Sequence, residues 1–314
     1  MHCHSTRSDG KNTPQEVLQE GVRQKLDFLA LTDHDIIAPK EFQDSLWSEW
    51  IESCDSVEIS ARNYDLEKSL HLVSYAKIFR DSLREVLDES KKWKMSMKWG
   101  QFYKMIYEFW FEGSKDWFDE YMRNQWRKPA TSNKYDISRY FFWIWDNPIR
   151  MREILWELLT SNDVVARFYE ECFKREWKLY EKYWFEARDY EPSVEDTVEE
   201  VAEKSRGIVA LAHPNVTFSE HKWWIPEFER TIGDYVDKWV NAIEINAKAS
   251  AEWISQILEI WERYDLILTF WSDCHSIWYD GRDGKHGTIW QINPLIETEI
   301  YEQNFWRFEE TLWI

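Results

Sequence analysis

Gly207-Ile208-Val209-Ala210-Leu211-Ala212-His213-Pro214 is a short apolar run that ends in a histidine and a proline. A continuous apolar stretch of this length, opened by glycine and closed by proline, fits a strand buried on both faces. Its polar residue comes just past the strand end. The same pattern recurs elsewhere. Residues 26–32 are apolar and run into Asp33-His34-Asp35. Residues 266–270 run through Trp271 into Ser272-Asp273-Cys274-His275. Residues 57–61, 70–75 and 242–246 read as further strands.

Helical patterns lie between these runs. Thr13-Pro14-Gln15-Glu16 is a capping box with proline at the first helical position, opening a helix to about residue 25. Ser193 caps a second helix to about residue 205, and residues 250–264 form a third. Strands alternating with helices point to a parallel sheet or barrel. Residues past strand C-termini are where barrel active sites sit. Between about residues 81 and 191 the texture becomes long, charged, aromatic and helical, without a histidine. The expected organisation is a barrel from 1–80 and 193–314, with 81–192 inserted as a helical cap.

Composition narrows the function classes. The 314 residues are 44% hydrophobic, enough for a sizeable core. No run of about 18 apolar residues suggests a membrane span. Four scattered cysteines without a CxxC pair suit a reducing, cytoplasmic setting. A net charge of -19 disfavours a general nucleic-acid clamp, which relies on Lys and Arg. No stable protein partner is expected. The 22 tryptophans against 9 glycines are unusual. Many tryptophans stand where glycine is physically expected, Trp239 and Trp271 among them. We read the excess as UGA codons that the source decodes as glycine; UGG codons at Trp239 and Trp271 would rule this out.

The histidines carry the chemistry. His2 and His4 are two apart, so on a strand both face one way and Cys3 the other. Asp273 and His275 repeat this spacing. Between them stand His34 after a strand, Glu58 and His71 within strands, and His213 after one. Imidazole with carboxylate suits Zn, Mn or Fe.

In order, His2-Cys3-His4-Ser5-Thr6-Arg7-Ser8-Asp9-Gly10, Leu31-Thr32-Asp33-His34-Asp35, Glu58-Ile59-Ser60-Ala61, Leu211-Ala212-His213-Pro214 and Ser272-Asp273-Cys274-His275 resemble the motifs of the PHP (polymerase and histidinol phosphatase) phosphoesterases. The resemblance implies an α/β fold, a distorted TIM-like (β/α)7 barrel with an inserted helical cap. It implies two to three divalent ions, with Mn expected and Zn or Fe as alternatives. His2, His4, Glu58 and Asp273 would hold one ion. Glu58 would bridge to a second, completed by His71 and His213. Asp9, His34 and His275 would hold a third. Aspartate at position 9, together with the cap, resembles the branch of 3′,5′-nucleotide bisphosphate phosphatases and 5′-to-3′ exoribonucleases. The expected substrate is thus a small phosphorylated molecule or short RNA. A histidinol-phosphate-type phosphatase and a catalytically silent metal-binding module are the alternatives. An amidohydrolase would want a metal-bridging lysine, which no motif here offers.

Other candidates are single residues. Asp35 could orient His34 or assist a proton transfer. His286, in Gly284-Lys285-His286-Gly287, could serve as a leaving-group acid. Arg7, Arg139 and Lys285 are candidates for contacting substrate phosphate.

Overall fold

The computed structural model describes residues 2–64, 68–94, 190–214, 230, 232–237, 240–271, 274–277 and 293–313. The chain divides into two compact units, Met1–Asp88 with Glu191–Ile314, and Glu89–Tyr190. Most of the stretch read as a helical cap lies outside the described residues, as do Arg139, Asp273, Lys285 and His286.

The first unit is built on a five-stranded sheet in the order β1-β2-β3-β4-β5. The strands are β1 (Asp55–Asn63), β2 (Lys68–Ala76), β3 (Ile208–Leu211), β4 (Ala242–Asn246) and β5 (Ile267–Trp271). The expected parallel pairing holds for β3 with β4 and β4 with β5. It fails for β2, which runs antiparallel to both β1 and β3. The connection explains the first reversal. Residues 64–67 alone join β1 to β2, and a parallel crossover needs a dozen or more residues. Residues 26–32 are extended, as expected, but pair only at isolated bridges. Phe28 bridges Glu52 and His34 bridges Glu58, while Cys3 bridges Cys274.

Local signals set the helices. In α1 (Pro14–Gln24), Thr13 Oγ1 accepts from the Glu16 amide and Glu16 accepts from the Thr13 amide, completing the capping box. Helix α2 (Lys40–Ser48) was not anticipated; Phe42 and Leu46, one turn apart, bury its apolar face. Ser193 caps α3 (Val194–Val198), which continues as a π-helical turn, Glu199–Lys204. Ser250 caps α4 (Ala251–Tyr264), whose Ile254, Ile257 and Ile260 are buried. Helix α5 (Thr298–Trp313) was also not anticipated. Among the described residues no helix is long and apolar enough to cross a membrane.

Alternation along each strand separates two apolar layers. Val57, Ile59, Leu70, Leu72, Val209, Leu211, Ile243 and Ile245 join one cluster with residues of α3 and α4. Val73, Tyr75, Ile208, Ala210, Ala242 and Ile267 face the other way and meet Phe28 and Phe308. Phe308, fully buried on α5, sits edge-on to Phe28 and Tyr75 at 5.4 and 5.1 Å. This second layer therefore gathers the starts of β3, β4 and β5. On that face the later positions of β4 and β5 are polar: Glu244, Asn246 and Thr269.

Helix α2 ends in a Schellman arrangement. The Ile51 amide reaches Leu46 O at 3.0 Å and the Trp50 amide reaches Trp47 O at 3.2 Å. Trp50 takes the left-handed position with φ 64° and is 93% exposed. Glycine is the usual occupant there because it has no Cβ penalty. Trp50→Gly is expected to raise stability by about 1 kcal/mol, since it relieves backbone strain and removes little packing. Urea denaturation midpoints check this, and a lower midpoint would contradict it.

Candidate metal centre

Extended segments and strands bring all the expected ligands together except Asp273, which lies outside the described residues. The His4 amide donates to Cys274 O (3.0 Å) and the Thr32 amide to Cys3 O (2.9 Å). Residues 2–4 are thus held as a strand between residues 274 and 32. Alternation buries His2 and His4 on one side and sends Cys3 into the apolar cluster with Leu29 and Leu31. The Asp35 amide donates to Glu58 O at 2.8 Å, which sets His34 beside Glu58. His71 lies opposite Ser60 on β2, so it shares a face with Glu58 one step along β1.

Glu58 is the hub. Its Oε2 lies 3.2 Å from His2 Nε2, 3.1 Å from His4 Nε2 and 3.1 Å from His34 Nδ1. Its Oε1 lies 3.0 Å from His71 Nδ1 and 3.1 Å from His213 Nε2. Asp9 forms a second, more open focus. Its oxygens are 3.5 Å from His4 Nδ1, 3.6 Å from His34 Nε2 and 3.8 Å from His275 Nε2. Among the described residues, three groups bring ligand atoms close enough to share an ion: His4, Asp9, His34 and His275; His2, His4 and Glu58; and His34, Glu58 and His71.

The donor chemistry fits a divalent cation. Glu58 Oε2 and His34 Nδ1 are buried 3.1 Å apart without forming a hydrogen bond. Nitrogens of His2 and His4 meet at 3.0 Å, and those of His71 and His213 at 2.9 Å. Each such pair of imidazoles has room for one proton between its lone pairs. A cation satisfies several of these lone pairs at once, and imidazole with carboxylate suits Zn, Mn or Fe.

The charges are strongly coupled. Burial alone would raise Glu58, but His34, His2 and His71 outweigh it and hold its carboxyl well below the usual range. Burial would depress His2, but Glu244 and Glu58 overcome this and raise it to about 9. For His71 burial wins over Glu58, and its pKa falls. Asp9 is held well below the usual carboxylate range, the pull of His34, His4 and His275 exceeding the effect of burial. The sign for metal uptake follows. A raised His2 is protonated at pH 7, and that proton must leave before Nε2 can ligate. Apparent Mn²⁺ affinity should therefore rise from pH 7 to about 9, by about tenfold per unit for one proton. Calorimetric titrations at several pH values test this, and a flat profile over that range would contradict it.

Neighbouring residues do other work. Asp35 Oδ1 accepts the Ser60 amide at 2.8 Å, with Asp35 at φ 53°, so this oxygen ties the loop to β1. Arg7 donates to Ile37 O at 3.0 Å and stands 3.9 Å from Asp33. Two residues given no role in the sequence are prominent. Asp33 is fully buried and accepts from Ser5 N, Ser5 Oγ and Ser8 Oγ at 2.7, 2.8 and 2.7 Å, fixing the loop that carries Asp9. Glu244 is buried against His2. A lone carboxylate within the apolar run Ala242-Ile243-Glu244-Ile245 was the available signal for it.

No family profile matches the chain. Over 77 residues it is 29% identical to a phosphoribosyl 1,2-cyclic phosphate 1,2-diphosphodiesterase of Eggerthella lenta. That match covers 23% of this chain and 28% of the relative, so the chain spans little more than a quarter of that protein's length. Two solved structures share the fold. One is an amidohydrolase from Chromobacterium violaceum, solved with bound sulfate and no metal, at 21% identity and TM-score 0.59; the likeness covers 96% of this chain and 95% of that one. The other, from Bifidobacterium adolescentis, is named as a metal-dependent phosphoesterase, at 15% identity and TM-score 0.61; it covers 98% and 94% of the two chains. The likeness to the two solved structures shows a shared fold, and the similarity to the diphosphodiesterase is local, confined to 77 residues.

Proposed function

We propose that this chain hydrolyses phosphate esters at a cluster of divalent cations, with nucleotide 3′,5′-bisphosphates or short oligoribonucleotides as substrates. The observation that carries the reading is Glu58, one buried carboxylate whose two oxygens face five histidines. Such a carboxylate suits a bridge between ions. His2, His4 and Glu58, with Asp273, would hold one ion; Glu58, His71 and His213 a second; Asp9, His34 and His275 a third. Bound ions supply an activated water at neutral pH and neutralise the phosphoryl oxygens.

The chain's own residues arrange the rest. His2, His4 and Glu58 are buried, whereas Asp9 is 44% exposed. That gradient supports an approach of substrate from the Asp9 side. Arg7 stands on the same loop, where its fixed guanidinium suits a phosphate oxygen. Arg139 and Lys285 are proposed as further phosphate contacts and His286 as the leaving-group acid, all three on sequence grounds. Asp35 is proposed to orient the segment that carries His34. The bridges Cys3–Cys274, Phe28–Glu52 and His34–Glu58 link the end of β5, through residues 2–4 and 26–34, back to β1. They support a closed barrel, for which we keep the (β/α)7 reading; residues 81–192 are proposed as its inserted cap on sequence grounds.

The test loads the full chain with Mn²⁺. Phosphate release is compared for a nucleotide 3′,5′-bisphosphate, mononucleotides, short RNA and histidinol phosphate. The expected order places the bisphosphate or RNA first. Preference for histidinol phosphate would overturn the substrate assignment, and no release from any of them would overturn the enzymatic reading.

A further inference from the structure

Glu244 is fully buried in the middle of β4. Its neighbours Ile243 and Ile245 point into the outer apolar layer, so Glu244 points inward. None of the proposed ligand sets includes it. Burying a carboxylate is expensive unless its acceptor capacity is used. Here both oxygens are engaged. They lie 3.0 and 3.3 Å from His2 Nδ1, and Oε2 also accepts the backbone amide of His213 at 3.1 Å.

Both partners are proposed ligands, one from each side of Glu58. A carboxylate can only accept, so Glu244 keeps a proton on His2 Nδ1 and leaves Nε2, 3.2 Å from Glu58 and 3.0 Å from His4, as the nitrogen to face a cation. His213 has φ 32°, a backbone region that side-chained residues rarely occupy. An acceptor on its amide helps hold that turn, and with it the ring facing His71.

We infer that Glu244 is a positioning residue of the metal centre: one carboxylate on β4 fixes the His2 tautomer and clamps the His213 turn, aiming one ligand at each ion that Glu58 bridges. This rests on the metal-dependent reading above. A carboxylate on the far nitrogen of a ligating histidine typically contributes 10- to 100-fold in metal affinity.

The experiment uses Glu244→Gln in the full chain. With its carbonyl oxygen at the Oε2 position the amide still accepts from His213 N, but it loses the charge and sets an NH2 donor at the Oε1 position, 3.0 Å from the Nδ1 that also donates. Mn²⁺ dissociation constants are measured by calorimetry on metal-free protein, with far-UV circular dichroism and metal-free melting in parallel. The expected result is binding 10- to 100-fold weaker with the metal-free fold retained. Affinity within threefold of the wild type would overturn the assignment. If the glutamine variant fails to fold, Glu244→Asp carries the same comparison, because its shorter arm cannot reach both partners. A wild type that binds Mn²⁺ but releases no phosphate would overturn the proposed function and leave the Glu244 assignment standing. A wild type that binds no metal would overturn both.

Discussion

Glu58→Gln is expected to empty the metal centre and to lower phosphate release by about a thousandfold or more, roughly 4 kcal/mol of barrier. Five imidazoles point ring nitrogens at the two Glu58 oxygens from 3.0 to 3.2 Å. An amide of the same shape keeps the packing but removes the charge and turns one acceptor into a donor. That donor faces cations and protonated rings. The shift of His2 also loses one of its two carboxylate causes. Metal content after dialysis and initial rates of phosphate release check the expectation. Unchanged metal content, or a rate within tenfold of the wild type, would remove Glu58 from the role of bridge.

Gly10→Ala is expected to destabilise the protein by about 3 kcal/mol and to weaken metal binding with it. A Cβ at position 10 would stand 2.4 Å from both C and O of His4 and 2.6 Å from Ser5 N. All three atoms are backbone, so no side chain can swing aside. The loop bearing Asp9 would have to move off residues 4 and 5. That movement breaks the hydrogen bond that the Gly10 amide donates to Ser5 O and strains the three hydrogen bonds converging on Asp33. Thermal melting with and without Mn²⁺ reports both effects. A variant that melts with the wild type would show that the loop yields freely.

Much of this centre was legible in the sequence because strand alternation is rigid. His2 and His4 around Cys3, and His213 after an apolar run, carry their geometry in their spacing. The pairing of strands was not legible in the same way. Nothing in the apolar pattern of residues 70–75 distinguishes an antiparallel partner from a parallel one; the short connection of residues 64–67 does. Glu244 escaped because alternation marks which face it occupies but not what waits there. Its partner His2 is 242 positions away, and only the closed fold brings them together. Helices α2 and α5 were missed although each has a buried apolar face. The cap of α2 is weak, because Pro39 gives it no side-chain bond.

The short hairpin of β1 and β2 has a consequence for the order in which a growing chain assembles this site. Glu58 and His71 are 13 positions apart in the sequence and leave the ribosome almost together. Their encounter closes a small loop. His2 must wait for Glu244, 242 positions later, and closing that larger loop costs about 3 kcal/mol more in chain entropy. Residues 2–4 can pair early with residue 32, but their seat is complete only after residues 244 and 274 have followed. An ion that meets the nascent chain early finds half a cradle, with its other half not yet made.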